Sequence, residues 1–142
     1  MKYKENAAVF KDIIDHIDNC DIKVILEKDV NIKEYVNKLL HYAERFEAWQ
    51  GNKLVGLVAA YLNDYQSKQA FITYVGVRKS SIGRGIASSL LEQVLSKAKE
   101  LQFLKINLEV NSDNVPAIKL YEKFGFSATD TSLSKITMSK LL

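Results

Sequence analysis

The chain has 142 residues, of which 47% are hydrophobic and 26% charged, and its formal net charge is +3. A chain of this length can bury a core and is most simply one domain, residues 1–142. The charge excess is too small to indicate nucleic acid, and no apolar run is long enough to cross a bilayer. Neither a nucleic acid nor a membrane is therefore an expected partner.

The cysteine and histidine contents exclude two further classes of protein. Cys20 is the single cysteine, so a disulfide framework is excluded and a cytoplasmic location is expected. His16 and His41 lie far apart, and neither belongs to a Cys or His cluster. The sequence therefore predicts no metal site.

Two amphipathic helices are predicted before residue 45. Apolar residues at helical spacing indicate helices over 7–19 and 32–44, the second with Asn31 as its N-cap. The inward face of the first helix is expected to carry Val9, Phe10, Ile13, Ile14 and Ile17.

Strands are predicted in the middle of the chain, where Gly51 and Asn52 form a pair suited to a tight hairpin. The predicted strands cover 46–50, 53–62, 70–77 and 103–110. The third is apolar nearly throughout and is therefore expected at the centre of the sheet. The fourth alternates, and its inward residues are expected to be Leu104, Ile106, Leu108 and Val110.

A helix predicted over 86–101 connects the last two of these strands, so this crossover should make them parallel. A short helix is predicted over 115–124, with Pro116 in its first turn and Gly125 just past its end. Residues 126–142 should hold one or two closing strands. The predicted fold class is α/β, a mixed central sheet with helices packed on it.

The junction VGVRKSSIGRGIASS, which begins at Val75, carries two glycines between a strand and a helix. A helix start attracts phosphate through its free N–H groups, Gly83 and Gly85 allow close approach, and Arg84 adds a charge. A tight turn without a ligand explains the same residues. Ser88 replaces the third glycine of a dinucleotide fingerprint, so NAD is not favoured, and the loop also lacks the pattern typical of ATP sites.

A second stretch, LEVNSDNVPAIKLYEKFGF, begins at Leu108. Together the two stretches closely resemble the GNAT superfamily of acyl-CoA-dependent N-acetyltransferases, in which a [RQ]-x-x-G-x-[GA] loop precedes a strand and helix of the form L-x-V-x-x-x-N-x-x-A-I-x-L-Y-x-x-x-G-F. The residues in register with that second pattern are Leu108, Val110, Asn114, Ala117, Ile118, Leu120, Tyr121, Gly125 and Phe126. Ile82 stands where the family usually has arginine or glutamine.

The resemblance implies a single-domain GNAT-like fold, with helices on both faces of the sheet, and an acetyl-CoA site without a metal. The CoA diphosphate would lie on the main chain of Gly83, Arg84, Gly85, Ile86, Ala87 and Ser88. The pantetheine arm would pair with Val75, Gly76 and Val77, and Asn114 would hold it. Gly76 could equally be a packing glycine, and Asn114 a plain helix cap.

The resemblance also implies transfer of an acetyl group to a primary amine by direct attack on the thioester. Tyr121 is the family's proton donor by position, and Glu109 takes the place of a glutamate that accepts the amine's proton in some members. A tyrosine packed on the core and a solvated surface carboxylate are the alternatives for these two residues.

Two other functions would give a similar sequence. A non-catalytic acyl-CoA sensor would bind the ligand without turnover, and a structural domain would not bind it. The acceptor stays open among a peptide N-terminus, a lysine, a polyamine, an amino sugar and an antibiotic. A homodimer suits a domain of this size, but no residue pattern indicates one.

Overall fold

A computed structural model describes residues 1–20 and 31–142. In these residues seven strands form one sheet and four α-helices pack on it. The helices are α1 (Phe10–Asp18), α2 (Ile32–Tyr42), α3 (Ile86–Glu100) and α4 (Val115–Lys123). The strands are β1 (Lys2–Glu5), β2 (Glu44–Gln50), β3 (Lys53–Tyr61), β4 (Gln69–Val77), β5 (Lys105–Asn111), β6 (Ser127–Thr131) and β7 (Lys135–Leu141).

The strand order is β1-β2-β3-β4-β5-β7-β6. Strands β4 and β5 are parallel, as the crossover through α3 predicts, and the other neighbours are antiparallel. The mixed α/β sheet is thereby confirmed, with β4 at its centre. The predicted hairpin at Gly51 and the N-cap at Asn31, whose side chain accepts from the amides of Lys33 and Glu34, are also present.

Two hydrophobic cores lie on opposite faces of the sheet. One is formed by α3 and α4 against β2–β5, with Leu90, Leu91 and Ile106 completely buried. The other is formed by α1 and α2, with Ile13 and Leu39 completely buried. The prediction of helices on both faces is therefore confirmed.

Three details of the sequence prediction are wrong. Strand β1 was not predicted, because all four of its residues are exposed and carry no apolar alternation. Val9 is the residue before α1 and is 60% exposed, so it does not belong to the buried helix face. Leu104 is 63% exposed because β5 begins one residue later, after a turn in which Gln102 has a positive φ of 67°.

Candidate active site

The candidate site begins where the two parallel strands at the centre of the sheet separate. Their pairing runs from Gln69 opposite Lys105 to Ile72 opposite Leu108. Both strands continue beyond this point, β4 to Val77 and β5 to Asn111, without pairing to each other. The sheet therefore forks, and the unpaired edges of the two strands face a gap.

A cavity of about 500 Å³ fills this fork. Strand β4 supplies its wall from Phe71 to Val77, and β5 supplies the opposite wall from Leu108 to Asn111. The remaining lining residues come from other elements and are Cys20, Tyr35, Ile82, Asn114, Ala117, Leu120, Tyr121 and Lys135. The cavity thus brings together residues from both faces of the sheet.

The hydrogen-bond pattern of β4 decides which main-chain groups face the gap. The Arg78 amide donates to the Val55 carbonyl at 2.7 Å, so residue 78 bonds toward β3. Bonding direction alternates along an antiparallel strand, and the main-chain groups of Gly76 also point to β3. Those of Val75 and Val77 therefore point into the fork and are free to pair with an extended ligand.

Gly76 has a packing role that its sequence context left open. A Cβ built on Gly76 would lie 2.4 Å from the hydroxyl oxygen of Tyr74, whose ring lies across the glycine. Real Cβ atoms essentially never come this close to another atom, so an added methyl group would have to displace the buried ring of Tyr74. The glycine therefore makes space for Tyr74.

The glycine junction lies beside the fork: Val77 and Ile82 line the cavity, but residues 83–88 are not among its lining residues. A short 3₁₀ turn, Lys79–Ser81, leads to Gly83 and Gly85, which have positive φ values of 88° and 73°. Gly85 is the N-cap of α3, and within the described chain no side chain caps this helix. A Cβ on either glycine would meet nothing within 4 Å, so the first turn of α3 is open to a ligand.

The other residues of the junction are either exposed or hold the helix in place. Arg84 is exposed, Ala87 and Ser88 are half-buried, and Ile82 lines the cavity while remaining 64% exposed. Ile86 is buried against β3, where a Cβ on Gly56 would lie 2.4 Å from its Cγ2 atom. The start of α3 therefore rests directly on the sheet.

Helix α4 brings Tyr121 and Asn114 to the same cavity. The Asn114 side chain accepts from the Ala117 amide at 3.3 Å and so caps α4. Tyr121 follows seven residues later, which is two helical turns, and packs edge-on against Phe126 at 6.0 Å. Burial raises the pKa of Tyr121 to about 12, so the phenol is protonated at neutral pH and can donate a proton.

Glu109 lines the cavity from the opposite strand. It lies on β5, opposite Thr137 of β7, with an exposed side chain. A carboxylate at this position is reachable both by solvent and by a ligand in the fork. The geometry is compatible with proton transfer through water and with a solvated surface role.

The side of the cavity toward α1 and α2 holds residues that sequence reasoning did not assign to the site. They are Cys20, Tyr35, Thr73 and Tyr74. Tyr35 bonds to Thr73, 38 residues away, and no local motif signals such a contact. The sequence signal for Tyr35 is its helical spacing with Val36, Leu39 and Leu40, which predicts that all four lie on the inward face of the second helix.

Cys20 and Tyr74 belong to a buried polar cluster around His16. Nδ1 of His16 lies 2.8 Å from the Leu54 carbonyl, which can only accept, so Nδ1 carries the proton and Nε2 accepts from the Cys20 thiol at 3.4 Å. Burial lowers the pKa of His16 to about 4 and raises that of Cys20, so both are neutral at pH 7. The Tyr74 hydroxyl is buried without a hydrogen-bond partner among the described residues.

Residues 1–20 and 31–142 contain neither a metal-binding cluster nor a membrane-spanning helix. Within these ranges no group of three or more His, Cys, Asp or Glu residues is arranged to hold a metal ion. No helix in the same part of the chain is both long and apolar enough to cross a membrane.

The sequence and the fold of this chain resemble those of known proteins. The model of the acetyltransferase (GNAT) family matches residues 11–126, which is most of the chain. The uncharacterized SPbeta prophage-derived N-acetyltransferase YokL of Bacillus subtilis is 31% identical over 140 residues, covering 96% of this chain and 78% of YokL. The chain therefore belongs to the GNAT family of acetyltransferases, as its two motifs predict.

Streptothricin acetyltransferase of Escherichia coli is 37% identical over 82 residues, which cover 58% of this chain. This chain spans 46% of that relative and 54% of two others, so it covers about half of their length. The PaiA N-acetyltransferase of Thermoplasma acidophilum, solved in complex with coenzyme A, has the same fold with a TM-score of 0.77 at 18% identity, and all of both chains is covered.

Proposed function

We propose that residues 1–142 form one catalytic domain that transfers an acetyl group from acetyl-CoA to a primary amine. Family membership supports acetyl transfer in general. The fork between β4 and β5 carries the proposal for this chain, because its cavity joins a free strand edge and a protonated tyrosine. Ile82 also lines this cavity, and the uncapped start of α3 follows it three residues later in the chain, although residues 83–88 themselves do not line the cavity.

The donor is proposed to bind along the open edge of β4. Its diphosphate lies on the main chain of residues 83–88, where the helix dipole and free amides favour negative charge. Its pantetheine arm pairs with the main-chain groups of Val75 and Val77 as an added strand would. Asn114, at the start of α4, contacts the arm through the amide nitrogen that its capping bond leaves free. This arrangement directs the thioester toward Tyr121.

The transfer is proposed to proceed by direct attack of the amine on the thioester carbonyl. An alkyl amine has a pKa of about 10 in water, so a proton must leave it first, and Glu109 accepts that proton through water. The new C–N bond forms as the oxygen takes negative charge, which main-chain N–H groups of β4 stabilise. The C–S bond then breaks, and Tyr121 donates its proton to the departing thiolate. The attacking nitrogen gives up its second proton, which restores the Tyr121 phenol, so the products are the amide and the CoA thiol.

A second candidate is a sensor that binds acyl-CoA without turnover. The observation that favours it is Ile82, which is exposed at the cavity mouth where the family usually places an arginine or glutamine. The missing side-chain contact weakens the hold on the diphosphate but leaves the main-chain donors in place. The two functions differ in turnover, not in the ligand.

The first test is a thermal melt of the full chain with acetyl-CoA, with NADH and ATP as controls. A ligand at a hundredfold its dissociation constant stabilises a fold by about 2.7 kcal/mol, which raises the Tm by several degrees. We expect such a shift with acetyl-CoA alone. No shift at millimolar acetyl-CoA would contradict both candidate functions.

The second test separates the enzyme from the sensor. A peptide N-terminus, lysine, a polyamine, an amino sugar and streptothricin are offered with acetyl-CoA, and release of free CoA thiol is followed. Streptothricin is included because a relative is named for it. Release that depends on one amine supports the enzyme, and binding without release for any amine supports the sensor.

A further inference from the structure

Strand β4 contains a bulge at the point where the sheet forks. Opposite it on β3, Ala59 pairs with Tyr74 and Ala60 pairs with Ile72, so Thr73 is an extra residue without a partner. The last pair between β4 and β5 is Ile72 with Leu108, immediately before the bulge. The bulge and the fork therefore coincide.

The bulge determines which way the following residues face. Side chains two positions apart in a regular strand share a face, but Ile72 packs in the core under α3 and α4 while Tyr74 packs in the core under α1 and α2. Without the bulge, the register between β3 and β4 would be shifted by one residue beyond this point. Val75 and Val77 would then turn their main-chain groups toward β3 instead of the fork.

A bulge leaves some main-chain groups without a hydrogen-bond partner on the neighbouring strand. Here a side chain of α2 provides that partner. The Tyr35 hydroxyl donates to the Thr73 carbonyl at 2.9 Å and lies 3.0 Å from the Thr73 Oγ1 atom. Burial raises the pKa of Tyr35 to about 12, so this phenol stays a donor throughout the physiological range. Both residues line the cavity.

We propose that Tyr35 is a positioning residue for CoA binding, because its hydroxyl holds the Thr73 bulge that turns the Val75 and Val77 main chain into the fork. The proposed action of Tyr35 runs through β4, so loss of its hydroxyl should weaken the binding of the cofactor by moving the Val75 and Val77 main chain. This inference rests on the proposed function.

The test measures the dissociation constant of CoA by calorimetry at 25 °C for the full chain and three variants. Tyr35→Phe keeps the ring and loses the hydroxyl, so the Thr73 carbonyl loses its donor and CoA should bind about tenfold more weakly. Thr73→Val keeps the carbonyl and should cost much less. Tyr42→Phe is the matched control, since Tyr42 lies on the same helix and is 63% exposed.

Amide hydrogen exchange of β4, measured without ligand, distinguishes a positioning role from a purely stabilising one, because loss of stability alone would not change which amides are protected. The Val75 and Val77 amides point into the open fork and should exchange quickly in the wild type, whereas Gly76 should be protected. In Tyr35→Phe this alternation should fade, because β4 then samples both registers. An unchanged alternation in Tyr35→Phe would overturn the inference, because β4 would then keep its register without the Tyr35 hydroxyl.

The outcomes separate this inference from the proposed function. Absence of CoA binding by the wild type contradicts the proposed function, and the positioning role is then withdrawn with it. Tight binding by the wild type and by Tyr35→Phe alike contradicts the positioning role alone. If Tyr35→Phe does not fold in buffer alone, the calorimetry is repeated for the wild type, Tyr35→Phe and Tyr42→Phe in the presence of sucrose, an osmolyte that stabilises folded proteins. Weaker CoA binding by Tyr35→Phe alone supports the positioning role, and equal binding by all three proteins contradicts it.

Discussion

The two sides of the cavity are built in different ways. On the side of α3 and α4, the glycine junction and the segment from Asn114 to Tyr121 are continuous pieces of chain that leave main-chain groups open. On the side of α1 and α2, neutral polar side chains are buried and meet partners 38 residues away in the sequence. This difference is what the two proposals predict, in which the first side takes the ligand and the second holds β4 in place.

The largest effect that tests this division is expected from Tyr121→Phe. Removal of a general acid typically lowers kcat by about 10²–10⁴-fold, while the ring still fills its place beside Phe126. Steady-state release of CoA thiol with the amine found by screening measures kcat, and calorimetry should give an unchanged CoA affinity. A kcat equal to that of the wild type would assign Tyr121 to the core instead.

On the other side, Gly76→Ala should affect stability. The new methyl group collides with the Tyr74 ring, and overpacking of this kind costs about 1–3 kcal/mol of unfolding free energy. Urea unfolding measures the cost. As a control, the same change in a Tyr74→Leu background should cost clearly less, because leucine has no atoms at the position of the ring. Equal costs in both backgrounds would show that the collision is relieved by other means.

His16 should make the α1 side sensitive to acid. Its folded pKa of about 4 lies below the ordinary value of 6.5, so its contribution to stability is complete above pH 6.5 and is lost as the pH falls toward 4. Between pH 7 and pH 5 the loss amounts to about 2 kcal/mol. Urea midpoints at the two pH values measure it.

Two variants isolate the contribution of His16 from that of the carboxylates. His16→Leu should remove most of this pH dependence even if it lowers stability at both pH values. His41→Gln should leave it intact, since His41 is exposed at the end of α2. If both variants keep the full dependence, another group is responsible.

The smallest effect is expected from Ile82→Arg, which adds a charge to the ligand side. A charge-assisted hydrogen bond to the diphosphate should tighten CoA binding by about tenfold, and salt should weaken the gain. Calorimetry at low and high salt measures it, with Ile82→Met as the uncharged control. Equal affinity for all three proteins would mean that the diphosphate lies away from residue 82.

The same division explains what could be predicted from the sequence. The glycine junction and the segment around Tyr121 could be recognised because each is a continuous stretch of chain with characteristic residues at fixed spacing. The bulge at Thr73 could not be recognised, because one extra residue does not change the apolar pattern of a strand that is buried on both faces. The hydrogen bond from Tyr35 to Thr73 could not be predicted either, because it depends on how α2 packs on the sheet. Strand β1 was missed for a related reason, since it contributes backbone pairing and no buried side chain.

The contact between Gly56 and Ile86 has a consequence for the height of α3 above the sheet. Because Gly56 has no Cβ, Ile86, the first residue of α3, packs directly on β3. A methyl group on residue 56 would push this end of the 15-residue helix away from the sheet. The C-terminal half of α3 is held by the buried residues Val94 and Ala98, so the helix would tilt instead of moving away from the sheet as a whole. The first amides of α3, on which the diphosphate is proposed to lie, would then move relative to β4. Gly56, a glycine about thirty residues before the junction, would therefore set the distance between the proposed positions of the phosphate and the thioester.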